Sequence, residues 1–184
     1  MMRFVKGIAI AGVVALAGSV AAGTAANAAS IAVGKKLELK VDPTKMNDER
    51  TRLWEQFGGW CALKDWHPAV ASCEESTEDG AKVRVLTLKD GGKIKEKLLD
   101  EKPNFYRYEI LESPLPVKNY QAQFALTPDD DDEDEINFAW SATFDANGKT
   151  NKEAHDVIDG IFQAGLDNIK ALAGTKPGDD DDKD

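Results

Sequence analysis

Residues 151–173 read NKEAHDVIDGIFQAGLDNIKALA, and this stretch decides the fold. Ala154, Val157, Ile158, Ile161, Phe162, Gly165, Leu166, Ile169 and Leu172 recur at the three- and four-residue spacing of one helical face. Lys152, Glu153, Asp156, Asp159, Gln163, Asp167, Asn168 and Lys170 take the other positions. Asn151 is expected as the N-cap, with Glu153 and Asp156 near the positive end of the helix dipole. Gly174 and Pro177 mark the stop. A helix of about six turns with one broad apolar face needs a cover, and a curved sheet is the natural one.

The segments upstream supply that sheet. Leu37, Leu39 and Val41 alternate with charged residues over Lys35–Val41, which predicts a first strand ended by Asp42-Pro43. Thr44–Phe57 reads as a helix broken by Gly58-Gly59, and Trp60–Lys64 as a short second helix before Trp66-His67-Pro68. Period-two strands follow at Val70–Ser76, Lys82–Lys89, Lys93–Leu99 and Phe105–Glu112. Asp90-Gly91-Gly92 is a hairpin signal, and Ser113-Pro114-Leu115-Pro116 is a stiff loop unsuited to a ladder. Tyr120, Ala122, Phe124 and Leu126 mark the next strand; Ile136, Phe138, Trp140, Ala142 and Phe144 mark the last. The order of strand, two short helices, six strands and long helix predicts an antiparallel α+β domain.

Both ends of the chain differ from this body. Arg3 and Lys6 precede an apolar run, Gly7–Ala22, and Ala26-Asn27-Ala28 is an A-x-A cleavage site, so residues 1–28 read as a signal peptide. The run is short and glycine-broken, which argues against a lasting membrane anchor. Residues 29–174 are then the domain, and residues 175–184 an acidic tail expected to be disordered. The location implied is periplasmic or secreted.

The formal charge of −10 becomes −12 when Arg3 and Lys6 are removed. Seven carboxylates lie in Asp129–Glu135 and five in Asp179–Asp184; the rest of the mature chain holds 21 acids against 20 bases. With no basic patch among interleaved aromatics, nucleic acid is excluded as a partner. The acidic run reads first as a solvated hairpin loop, with docking of a basic protein as the functional alternative. A calcium site there is disfavoured by like-charge repulsion and by the lack of an EF-hand glycine. Cys61 and Cys73 are either a disulfide, favoured by export, or two buried thiols; spacing leaves both open. Cys61, His67 and Cys73 lack a fourth ligand for zinc, and no metal or other cofactor is expected.

Several motifs in this order resemble the START-like, or SRPBCC, superfamily, and within it the polyketide cyclase/dehydrase-like group. They are Trp66-His67-Pro68, Arg84-Val85-Leu86-Thr87-Leu88 before Asp90-Gly91-Gly92, and Glu96-Lys97-Leu98. Tyr106-Arg107-Tyr108, Pro114-Leu115-Pro116-Val117 with Asn119-Tyr120, and Trp140 with Phe144 continue the series. The resemblance implies a helix-grip fold, in which a seven-stranded antiparallel curved sheet surrounds the long C-terminal helix. It also implies a cavity for a small hydrophobic ligand between the two. The signal peptide, the Leu-Thr-Leu…Gly-Gly…Glu hairpin and the Pro-Val…Asn-Tyr segment are similar to exported MxaD-like proteins, periplasmic accessories of methanol oxidation. For such a protein the acidic loop would assist a dehydrogenase in meeting a basic cytochrome.

Plant abscisic-acid receptors are a more distant resemblance. Glu96 and the Ser113–Pro116 loop match in position, but Ala71 stands near the expected lysine and the gate loop is cut to Lys89–Gly92.

On that frame the ligand-binding candidates are Glu96, His67, Tyr120, Phe124, Phe138, Trp140, Phe162 and Leu115. The plainer reading is that the aromatics fill a solid core. Glu96 sits between Ile94 and Leu98 on the inward face and must be paired or protonated; Arg84 and Arg107 are the candidate partners. A structural pair is the favoured role, with acid/base chemistry of a cyclase or dehydratase kind as the alternative. No nucleophilic triad is readable around His67 or His155, so no catalytic residue is assigned.

Overall fold

The computed structural model describes residues 30–174. The signal-peptide reading of residues 1–28 and the tail reading of residues 175–184 lie outside the described residues. Seven strands form one antiparallel sheet: β1 (Ile31–Lys40), β2 (Val70–Glu78), β3 (Ala81–Leu88), β4 (Lys93–Lys102), β5 (Phe105–Glu112), β6 (Val117–Pro128) and β7 (Glu135–Ala146). Their order across the sheet is β1-β7-β6-β5-β4-β3-β2, so β2 through β7 form a continuous meander and β1 closes against β7. Two short helices, α1 (Met46–Phe57) and α2 (Leu63–Trp66), separate β1 from β2, and α3 (Asn151–Ala173) ends the fold. This is the antiparallel α+β domain that the pattern predicts, in the helix-grip arrangement that the family resemblance implies. Among the described residues no helix is long and apolar enough to cross a membrane.

The differences from the sequence reading are local. β1 begins at Ile31 because β7 is long enough to pair with it from Phe144 back to Glu135, and Val33 joins Leu37 on the buried side. Pro43–Lys45 forms a 3-10 turn capped by the Asp42 side chain, so α1 starts only at Met46. The second helix is displaced to Leu63–Trp66. It stops at His67, whose backbone is extended (φ −84°, ψ 121°), as the following Pro68 demands.

For α3 the N-cap is Thr150, not Asn151. The Thr150 hydroxyl accepts from the Glu153 N–H while the Glu153 carboxylate accepts from the Thr150 N–H, a complete capping box. Val157 falls off the apolar face and is exposed.

The apolar face of α3 lies across the sheet at β1 and β7. Trp140 of β7 stacks on Phe162 with ring centroids 4.3 Å apart. Trp66 packs edge-on to Trp140 and stacks on Phe124, which in turn stacks on Phe138. Polar ties hold the same layer: the Trp66 indole donates to the Phe57 carbonyl at 2.9 Å, and the Asn168 amide to the Trp66 carbonyl at 2.6 Å. A disulfide joins Cys61, between α1 and α2, to Cys73 on edge strand β2, which resolves the pairing that spacing left open.

One irregularity bears on the site. The β5–β6 ladder stops at Glu109 opposite Gln121, although the same register would pair Ile110–Glu112 with Lys118–Tyr120. Asn119 takes a left-handed backbone (φ 52°), and the β6–β7 register shifts between Lys118 and Gln121 while Val117 and Lys118 stay paired with Ala146 and Asp145 of β7. The hairpin therefore parts near its loop.

Two helical glycines give opposite expectations. A Cβ on Gly165 would lie 2.9–3.0 Å from the rings of His67, Trp140 and Trp66, whereas one on Gly160 meets nothing within 4 Å. Gly160→Ala should stabilise the protein by about 0.5–1 kcal/mol through lost unfolded-state freedom. Gly165→Ala should destabilise it by roughly 1–3 kcal/mol, because three packed rings must yield. Denaturant midpoints of the two variants decide the matter; a stabilised Gly165→Ala would contradict this packing.

Candidate functional site

Between the concave face of the sheet, from β2 to β7, and the first half of α3 lies a cavity of about 70 Å³. His67, Glu96, Leu115, Tyr120, Trp140 and Phe162 all line it. Phe124 and Phe138 do not. Both are fully buried in the stack beside Phe57, Trp66 and Trp54, under α1. Period two assigns a side chain to a face but not to a position along it, so the two phenylalanines read like Tyr120 and Trp140 while lying further along the sheet.

The structure adds lining residues absent from the candidates, chiefly Tyr108, Leu88, Ile158 and Ile161. Tyr106 and Tyr108 share the buried face of β5 on either side of exposed Arg107, the same alternation that Tyr120 shows on β6, so the Tyr108 signal was present in the sequence.

Glu96 is paired with Arg84, its cross-strand neighbour on β3. Arg84 Nε donates to Glu96 Oε2 at 2.5 Å, and Nη1 donates to the Trp60 carbonyl. The guanidinium lies 3.8 Å from the Trp60 ring centroid, a cation–π contact out of water. Arg84 is 0% and Glu96 4% exposed. Arg107, the other candidate partner, is exposed on the convex face opposite Asp100.

Burial pushes the Glu96 carboxyl up from its ordinary range, and the guanidinium in contact pulls it back. Burial also opposes the charge on Arg84, but Glu96 together with Tyr106 and Tyr108 more than offsets it and the net direction is upward. A guanidinium does not give up its proton, so a neutral Glu96 would strand a buried cation, and the pair is ionised. Among the described residues Arg84 Nη2 is buried without a hydrogen-bond partner.

The other polar groups around the cavity are largely engaged. Trp140 Nε1–H donates to the Tyr108 hydroxyl at 3.0 Å, and the Tyr120 phenol lines the cavity beside it with ring centroids 6.2 Å apart. Burial holds both phenols above their ordinary range, so they stay protonated donors. His67 Nε2 lies 3.1 Å from the Ile161 carbonyl, and the Ala69 N–H donates to Nδ1 at 3.2 Å. That pattern requires the neutral tautomer with its proton on Nε2. His67 therefore meets the cavity with its ring and has no free nitrogen.

The acidic run is organised by β1. Lys40 Nζ contacts Asp132 at 3.0 Å, Asp134 at 2.7 Å and Glu135 at 2.9 Å. These three carboxylates converge as a cation site would, with the Lys40 ammonium among them. Asp129 turns inward, accepting from Asn137 Nδ2 at 2.7 Å and from the Asp131 N–H at 2.9 Å. Asp130, Asp131 and Glu133 are exposed, and the His155 side chain is also largely solvent-facing.

The charge pair yields the first expectation of this site. Arg84→Met leaves Glu96 buried without a counterion and should cost about 3–5 kcal/mol of stability. Adding Glu96→Leu should restore much of that loss, as measured by urea unfolding of the single and double variants. If the double variant is no more stable than the single, the pair is not the source of the cost.

His67 yields the second. Burial, reinforced by Lys89, holds its pKa below the ordinary 6.5, against the pull of the Ile161 carbonyl. The unfolded imidazole still binds a proton near 6.5, so below that pH the unfolded state holds more protons than the folded one. Stability should therefore fall as pH drops from about 6.5 toward the folded-state pKa, by at most about 1.4 kcal/mol per pH unit. Comparing unfolding between pH 7.5 and 5.5 in the wild type and His67→Gln checks this; equal slopes would refute it.

Comparison with known proteins agrees with this architecture. No curated protein matches the chain by sequence. Among solved structures it is similar to the protein XoxI from Bacillus cereus, at 26% identity and a TM-score of 0.65 over 77% of this chain and 94% of that one. The Zhui aromatase/cyclase from Streptomyces sp. R1128 matches at 15% identity and a TM-score of 0.58, covering 78% and 93% of the two chains. Norcoclaurine synthase from Thalictrum flavum matches at 19% identity and 0.55, covering 78% and 86%. These last two likenesses show the shared fold alone. Residues 50–174 match the model of the family described as polyketide cyclase / dehydrase and lipid transport, and the chain belongs to that family.

Proposed function

We propose that this chain is an exported, non-catalytic helix-grip protein that binds or carries a small apolar molecule between its sheet and α3. The observation that carries this reading is the cavity itself, walled almost wholly by aliphatic and aromatic groups, with Glu96, Tyr108 and Tyr120 among its lining residues. Apolar space with a few placed polar groups is the usual make-up of a small-molecule site. Export is supported by the pattern of residues 1–28 and by the Cys61–Cys73 bridge, a bond that persists in oxidising compartments. A periplasmic or secreted location follows from that reading.

Acid/base catalysis at Glu96 is the weaker reading, because one of its oxygens is held by Arg84 and the pair is ionised. A general acid would need the proton that Arg84 disfavours. An MxaD-like accessory role through the acidic loop draws on the exposed carboxylates of Asp130, Asp131 and Glu133. Much of the remaining acidity already meets Lys36 and Lys40 within the chain.

The deciding experiment is native mass spectrometry of the mature protein purified from its own compartment, followed by extraction of anything bound. A small apolar molecule at one per chain is the expected result. A protein that is empty, and stays empty after soaking with apolar compounds, would overturn the carrier reading. Low-salt capture of a basic partner, lost at high salt, would then favour the acidic loop.

A further inference from the structure

The loop between α1 and α2 covers the Arg84–Glu96 pair, and a covalent bond holds it there. Residues 58–62 read Gly-Gly-Trp-Cys-Ala, with Trp60 buried between exposed Gly59 and half-buried Cys61. The Trp60 carbonyl accepts from Arg84 Nη1, and the Trp60 ring lies against the guanidinium, 3.8 Å from carbon to ring centroid. Arg84 behind it is fully buried. Cys61 follows Trp60 directly and is bonded to Cys73 on β2. In the β2–β3 register Cys73 stands opposite Leu86 and Glu75 opposite Arg84. The bridge therefore meets the sheet on the same face as the Arg84 side chain, two residues along.

This cover does not rest on satisfied polar groups. Trp60 Nε1 and Arg84 Nη2 are both buried with no hydrogen-bond partner among the described residues. Each would gain a water partner if the loop lifted, so both donors favour release. Release is opposed by the cation–π contact, by edge-on packing of Trp60 on Tyr106 and Tyr108, by the bond to its carbonyl, and by the disulfide. Neighbouring α2 is anchored independently, through the Trp66 indole on the Phe57 carbonyl and the Asn168 amide on the Trp66 carbonyl. The loop can lift without taking α2 with it.

The bond is also placed where a reagent can meet it. Both cysteines are half-buried, and β2 is an outermost strand of the sheet. Accessible disulfides are the ones open to thiol exchange.

We propose that the Cys61–Cys73 bond is a redox-sensitive clasp: closed, it keeps Trp60 over Arg84; opened by a dithiol reductant, it frees residues 59–62 and admits water to the Arg84–Glu96 pair.

In the opening step a thiolate of the reductant attacks one cysteine sulfur, the Cys61–Cys73 bond breaks, and the other sulfur leaves as thiolate. The second thiol of the reductant then displaces the mixed disulfide and closes the reductant into its own disulfide. Two electrons pass to the cysteine pair, and two protons end on Cys61 and Cys73. In an oxidising compartment the closed form is the resting one. Glu96 lines the cavity, so the clasp governs one wall of it whatever the cavity holds.

The test is hydrogen exchange of side-chain N–H groups, read by NMR on the mature protein before and after dithiothreitol. The Trp60 indole and Arg84 Nε–H signals should exchange at least about tenfold faster after reduction. The Trp140 indole, bonded to Tyr108 within the sheet, should change by less than about threefold. Reoxidation should restore the protection. Cys61→Ser combined with Cys73→Ser should give the reduced pattern with no reductant present, which ties the change to loss of the bond and not to the reagent.

Reduction that leaves Trp60 and Arg84 as protected as before would overturn the proposal, since the bridge would then have no hold on the pair. Equal acceleration at Trp60, Arg84 and Trp140 would overturn it as well, because the bond would be holding the whole fold. A bridge that dithiothreitol does not reduce in the folded protein is no redox clasp, and that result would also end the proposal.

Discussion

The contact of Trp140 with Phe162 is where sheet and helix meet, and much of the structure is arranged to permit it. Two large rings can lie 4.3 Å apart only if the helix backbone runs close to β7, and Gly165, less than one turn further along α3, provides the closeness. Trp66 and His67 then fill the angle between helix and sheet. That placement requires the chain between α1 and β2 to turn sharply, which Pro68 imposes by ending α2. The disulfide and the Asn168–Trp66 hydrogen bond hold this turn from two sides. The cavity is what remains on the other side of Trp140, so its small size is a consequence of the same packing.

The fold was legible because its signals are periodic. β7, with Ile136, Phe138, Trp140, Ala142 and Phe144 all buried, is the plainest case, and α3 needed only its cap and the place of Val157 corrected. The errors fall where a partner or a turn decides. β1 lengthens because β7 is there to pair with it, and α2 shifts because the Gly59–Ala62 turn precedes it. The site was legible in part, for a reason that Phe124 and Tyr120 illustrate. They share a strand face four residues apart, yet one is core and the other cavity wall. Only the position of α1 over the sheet, which no alternation encodes, separates them.

Glu96 was legible as an anomaly. A carboxylate between Ile94 and Leu98 demands a partner, and antiparallel register delivers Arg84 from the adjacent strand. Such a pair stabilises little in total, since desolvation offsets most of the attraction. Its effect is to commit the register of β3 against β4, because a slip of either strand by one residue would turn its own charge to the opposite face and leave the other buried without a partner.

The parted β5–β6 hairpin changes how many borders the sheet has. An open sheet has two, here β1 and β2, but Ile110–Glu112 and Lys118–Tyr120 face each other without pairing and form a third, inside it. This inner border carries Glu109, Glu112 and Lys118, the kind of charged residue that keeps a foreign strand from docking on an outer edge. Ile110 and Tyr120 stand on its two sides and also wall the cavity. Cohesion of the sheet and enclosure of the cavity are therefore a single mechanical property, and whatever widens the seam ventilates the interior.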